Sequence, residues 1–133
     1  MALTDTSADK RRDMGRAAMR TYPSIIRDWG LSEQDAALLL GVAESTYRYW
    51  RKDPTSASLD VNHLERLSLI IGIYKALQQL LPCTDAADSW LQRPNRNPLF
   101  TGQPPIERLR SGYVSDLYVV QHHLDAARAG EHT

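Results

Sequence analysis

The sequence predicts an all-α protein. Apolar residues recur at spacings of three and four along almost the whole chain, the period of a helix that buries one face. β-branched residues are sparse and never alternate over the length of a strand. Glycines and prolines fall where such helices need to stop. The chain has 133 residues, enough for one domain or two small ones. Apolar residues make up 42%, which suits a packed core. No apolar run reaches the roughly 18 to 20 residues that a bilayer span needs. The longest candidate, residues 64–81, is interrupted by Glu65, Arg66, Lys75, Gln78 and Gln79 and reads as a core helix. The first residues carry acids and no apolar stretch, so no signal peptide is expected. A lone cysteine, Cys83, excludes an internal disulfide framework and a multi-thiolate zinc site. The expected compartment is a reducing cytoplasm.

The elements follow in order. After a loose start, a helix is expected over residues 8–20. Pro23 is suited to open a second, over 24–29, since a proline at the first helical position loses nothing, and Gly30 closes it. Ser32 caps a third helix that carries Leu38, Leu39 and Leu40 up to Gly41. A fourth starts near Glu44 and ends before Pro54, because the residue ahead of a proline avoids the helical region. Residues 53–58, rich in Pro, Thr and Ser, read as a linker. A long helix over 60–81, capped by Asp60 and stopped by Pro82, places Val61, Leu64, Leu67, Ile70, Ile71, Tyr74, Leu77 and Leu81 on one broad face. Thr84 or Asp85 is expected to cap a short helix through Trp90. Residues 94–105 read as irregular, with Pro94, Pro98, Pro104 and Pro105 around Gly102. A helical turn through Leu109 leads to Gly112. The last helix, about 113–129, carries Val114, Leu117, Val120 and Leu124 at helical spacing. This divides the chain into residues 1–56, a connecting helix over 57–82, and residues 83–133.

Sixteen basic side chains balance sixteen acidic ones. That weighs against indiscriminate binding to phosphate backbones. The basic charge is nevertheless concentrated, first in Lys10, Arg11, Arg12, Arg16 and Arg20, then in Arg48, Arg51 and Lys52. The second cluster sits inside a local pattern. Gly41 is placed for a tight turn that needs positive φ. Ala37, four residues earlier, is small enough for another helix to back onto it. Val42 can plug the junction. Tyr47 and Trp50 then point toward a core. These positions describe a helix-turn-helix. Its second helix would turn Glu44, Ser45, Arg48, Tyr49 and Lys52 outward. Early residues of such a helix reach base edges in the major groove. Arg48 suits a bidentate bond to guanine. Ser45, Thr46, Arg51 and Lys52 suit phosphates, and Tyr49 a sugar or a thymine methyl. One unit binds weakly, so a homodimer on a palindromic operator is expected. The long helix is its candidate interface, although its apolar face can equally pack within its own chain.

Behind this lies a second pattern: Trp90–Leu91, Pro94–Asn95, Leu99, Gly102, Pro105, Leu109 and Gly112, then a helix with Val114, Leu117 and Leu124. Together with Ala87, it resembles the toxin-binding domain of the Xre/MbcA/ParS antitoxins. The upstream "LLLGVAESTYRYW" is similar to that family's Xre-like helix-turn-helix. The likeness spans about residues 25–130. It departs from the family pattern in the strongly basic first helix and the doubled Pro104–Pro105. The resemblance implies a type II antitoxin paired with a RES-domain toxin, an enzyme that attacks NAD+ by consuming it or by transferring ADP-ribose. It implies a C-terminal part that covers the toxin's active-site entrance, and dimers that repress their own promoter. The candidate toxin-binding residues are Trp90, Arg93, Asn95, Arg96, Arg108, Arg110, Tyr113, Tyr118, Gln121 and His122. Arginine and tryptophan are favoured at interface hot spots, and a proline-rich loop loses little entropy on docking. Two of them have a plainer reading too: Trp90 as the core anchor of its helix, Asn95 as a turn residue that bonds its own backbone.

No catalytic grammar competes with this. His122 and His123 are adjacent on a helix and diverge, so they cannot share a metal as an i, i+4 pair would; a surface pair is expected. Cys83 has no histidine near it in sequence and reads as a buried or half-buried structural thiol. There is no glycine-rich phosphate loop and no local nucleophile motif. Neither an enzyme nor a cofactor is expected. The rival readings are a plain helix-turn-helix regulator whose C-terminal half only dimerises, and an inhibitor whose helix-turn-helix no longer reads DNA.

Overall fold

The computed structural model describes residues 2–130, with side chains from residue 8 onward. They form α1 (Ala2–Asp28), α2 (Glu33–Leu40), α3 (Glu44–Lys52), a 3-10 turn (Pro54–Ser56), α4 (Val61–Leu80), α5 (Thr84–Ser89), a second 3-10 turn (Trp90–Gln92), α6 (Ile106–Leu109) and α7 (Val114–Arg128). No strand occurs among the described residues. The protein is all-α, with a helix-turn-helix half followed by a second helical half.

The two helices expected before Gly30 are one. α1 runs through Pro23 without a break. An interior proline removes a hydrogen bond and crowds the preceding turn. Here Met19, Tyr22, Ile25, Ile26 and Trp29 lie on one stripe on both sides of Pro23 and are all buried. Keeping that stripe continuous outweighs the single lost bond. The Tyr22 hydroxyl donates to the Ala36 carbonyl at 2.7 Å and ties α1 to α2.

α4 is the spine of the molecule, packed against α7, α5, α1 and α2. Its buried residues are Leu67, Leu69, Ile70, Ile73, Ala76 and Leu77. The single broad face expected from sequence is therefore wrong in detail. Leu69, Ile73 and Ala76 form a second buried stripe because helices cover α4 on more than one side. Val61 is 67% exposed, while Leu64, Ile71, Tyr74 and Leu81 are half-buried. Asp60 caps α4 in a reciprocal box with His63, which satisfies otherwise orphaned N–H groups of the first turn. α7 comes so close to α4 that a side chain at Gly72 would collide with the Gln121 amide.

Two further expectations fail at the start of α5. Its N-cap is Cys83, with no side-chain cap bond, rather than Thr84 or Asp85. Cys83 is exposed, not buried. α5 turns away immediately after Pro82, so the thiol sits at the outer corner and only Ala87 of this helix reaches the core. One core cluster crosses both halves. Ala87, Leu91, Phe100, Ile106, Leu109, Leu117, Val120 and Leu124 join the helix-turn-helix residues through α4.

Candidate nucleic-acid interface and protein-binding face

α2 and α3 meet through a turn whose geometry follows from its residues. Ser32 caps α2 by accepting from the Asp35 N–H. Gly41 ends it at φ 83°, and the Gly41 and Val42 N–H groups both donate to the Ala37 carbonyl. That left-handed cap is cheap for glycine alone. The Arg66 guanidinium packs over it, with Nε 3.1 Å from where a Cβ would stand. Ala37, Tyr47 and Trp50 are buried and Val42 packs at the edge of the core. Tyr47 meets Tyr22 edge-on at 5.9 Å.

This phase turns Ser45, Arg48, Tyr49, Arg51 and Lys52 to solvent, with Tyr49 62% exposed, while Thr46 and Glu44 are half-buried. The arginines are not idle. Arg48 Nε donates to Glu33 Oε1 at 3.2 Å, and its Nη2 pairs with Glu44. Arg51 Nη2 lies 2.7 Å from Glu33 Oε2, but off-axis, leaving that oxygen without a well-aligned hydrogen bond. The Glu44–Arg48 pair has i, i+4 spacing and could be read from sequence. Glu33 could not, because it reaches Arg48 across the turn.

In the C-terminal half the candidate residues separate. Trp90 is half-buried against the core, edge-on to Phe100 at 5.8 Å. Asn95 Oδ1 accepts from the Asn97 N–H at 2.9 Å, and its backbone pairs with Gly102 and Gln103. Both plainer readings thus have a geometric basis. Arg93 caps the Ala86 carbonyl at 3.0 Å, and Arg96 is exposed. Arg108 holds Asp116 at 2.9 Å and the Leu99 carbonyl at 2.7 Å. Arg110 turns away to the other half, where Nε and Nη2 grip both oxygens of Asp35 at 3.1 and 3.0 Å. That guanidinium holds the Asp35 carboxyl below its usual range. Arg66 adds a second tie, donating to the Leu39 and Gly112 carbonyls at 3.3 and 2.7 Å. Neither tie left a local signal in the sequence.

Gln121 lies over Gly72 on the α4 side of α7. The outward side carries Tyr118, 51% exposed, and exposed His122. With Leu99, Val119, His123 and Ala126 they line a shallow, mostly apolar groove of about 580 Å³. Tyr113, 70% exposed, stands at the start of the same helix. His123 is half-buried, edge-on to Phe100 at 5.8 Å, so the pair is one surface histidine and one packed one. Burial pushes the His123 pKa down. Leu99 was recognised from sequence only as part of the family pattern, yet it forms one wall of this groove.

The geometry defines a helix-turn-helix protein whose second half carries a separate, mostly apolar groove. Comparison with known proteins agrees with both halves. Residues 10–72 match the antitoxin Xre-like helix-turn-helix domain. Residues 76–130 match the antitoxin Xre/MbcA/ParS C-terminal toxin-binding domain. The chain belongs to the Xre/MbcA/ParS antitoxin family. It is also 36% identical over 115 residues to the uncharacterized protein y4oB of Sinorhizobium fredii (strain NBRC 101917 / NGR234), a match covering 86% of each chain. The protein is an antitoxin of a toxin–antitoxin system, with a DNA-binding half and a toxin-binding half. Among the described residues no helix is long and apolar enough to cross a membrane.

Proposed function

We propose that the chain neutralises a RES-domain, NAD+-using toxin by covering its active-site entrance, and represses its own operon as a DNA-bound dimer in the cytoplasm. Residues 1–56 read the operator, through Ser45, Thr46, Arg48, Tyr49, Arg51 and Lys52. Residues 83–133 hold the toxin, and the helix over 57–82 joins the two. The observation that carries the toxin assignment is the groove of Leu99, Tyr118, Val119, His122, His123 and Ala126 on the outer side of α7. Apolar surface rimmed by polar groups is what a protein partner covers. Tyr113, Tyr118, His122 and Arg96 reach the toxin directly. Trp90, Arg93, Asn95, Arg108 and Gln121 shape the face from behind, while Arg110 is turned to Asp35 in the other half.

The test is co-expression with the product of the adjacent gene, which the proposal expects to be a RES-domain protein. The two should co-purify, and growth should be restored. Tyr118→Ala with His122→Ala should lose both while the fold survives, since both side chains are exposed. Cutting away residues 115–133 is a poor substitute, because it strips Leu117, Val120 and Leu124 from the core. Failure of the intact chain to co-purify and to restore growth rejects the proposal.

A further inference from the structure

We infer that Glu33 is a built-in competitor for DNA phosphate that keeps the reading arginines neutralised while the antitoxin is free. The inference rests on the reading of α3 as the DNA-contacting helix. Glu33 is the first residue of α2, and its carboxylate leaves α2 to meet α3. It touches both arginines of the outward surface, Arg48 through Oε1 at 3.2 Å and Arg51 through Oε2 at 2.7 Å. Glu44 takes the other side of Arg48. The reading surface thus sets Arg48, Arg51 and Lys52 against two carboxylates, one of them shared between both guanidiniums.

An acid in the first turn of a helix is favoured by the helix dipole. That accounts for Glu33 being acidic, but not for its turning out to chelate the neighbouring helix. A carboxylate set between two guanidiniums holds the place that a phosphate would take between them. DNA must therefore displace Glu33 from Arg48 and Arg51 before those arginines can release counterions from the duplex. Exposed ion pairs are individually weak, each worth less than about a fivefold factor, so the barrier is modest. It falls on every duplex alike, because Glu33 must leave both guanidiniums before either a phosphate or a base can be met. Its effect is to lower affinity for any duplex, while Arg48, once released, and Tyr49 set the discrimination between bases.

The test uses Glu33→Gln, which keeps the shape and removes the charge. Binding is measured by fluorescence anisotropy, over a range of salt, to a duplex from upstream of the gene and to a scrambled duplex. Glu33→Gln should bind both about five- to tenfold more tightly at low salt. Its log–log salt dependence should be steeper by about one to two, as one or two more phosphates are neutralised. In an Arg48→Ala, Arg51→Ala background the gain should vanish. Unchanged or weaker binding by Glu33→Gln overturns the inference, as does a gain that persists without the arginines. If the double arginine variant alone loses binding while Glu33→Gln changes nothing, the competitor role fails and the DNA-reading role of α3 stands. If the double arginine variant binds as the parent does, the reading of α3 fails and takes the inference with it.

Discussion

Replacing Arg110 with alanine should cost about 1–2 kcal/mol of stability, more than an exposed ion pair and less than a fully buried one. The Asp35 side chain, 16% exposed, would be left facing no cation. A double-mutant cycle with Asp35→Ala, read by urea unfolding, should return most of that as coupling. The coupling should depend on pH with a definite sign. Arg110 lowers the Asp35 pKa in the folded state. A depressed carboxylate stabilises above its unfolded pKa, about 3.9, and that stabilisation is lost as pH falls through the folded value. The coupling should therefore be full at neutral pH and fade only below about pH 4. Coupling that is absent, or that grows in acid, contradicts this role for Arg110. Nothing in the sequence pointed to the pair, since its members stand 75 positions apart and Arg110 read instead as a toxin-binding candidate. The same holds for Glu33 and Arg48, 15 positions apart across a turn. What sequence did show was chemistry carried within one element, such as the outward phase of Arg48 and Tyr49 on α3.

At the scale of elements, the helix-turn-helix was legible because its constraints are local. Ala37, Gly41, Val42, Tyr47 and Trp50 lie within two turns of the junction they build. Gly41→Ala should cost about 1–2 kcal/mol, the strain of a β-carbon in the left-handed region, with Arg66 also forced to shift. Thermal melting checks it, and an unchanged melting temperature would mean the turn relaxes without strain. α1 was misread because proline usually marks a helix start or stop, and only tertiary packing reveals a stripe worth carrying through it. Pro23→Ala should therefore stabilise the protein by about 1–3 kcal/mol, restoring a helical hydrogen bond and relieving the crowded turn. Loss of stability on this substitution would show that α1 needs the proline's geometry. The α4 faces were misjudged for a related reason. Periodicity reports one buried stripe, whereas a central helix buries several.

Across the whole molecule, the two halves are not beads on a linker. A single core runs through α4 into α7, and Arg66 and Arg110 clamp the helix-turn-helix to the C-terminal half. Damage to the core of either half should thus lower the stability of both, and only surface substitutions can separate the two binding faces. The fold class and the succession of its halves were readable in sequence, because helix period and punctuation carry them. Which of ten candidate residues face outward on the toxin side was not, because Gln121 and Tyr118 differ only in rotation about α7. The most direct measurement is a crossed assay of two surface variants, each scored for upstream-DNA binding and for rescue of toxin-arrested growth. Arg48→Ala with Arg51→Ala should lose DNA binding and keep rescue. Tyr118→Ala with His122→Ala should lose rescue and keep DNA binding. Loss of both activities in either folded variant, or of neither in both, contradicts the account of two separate grips on one body.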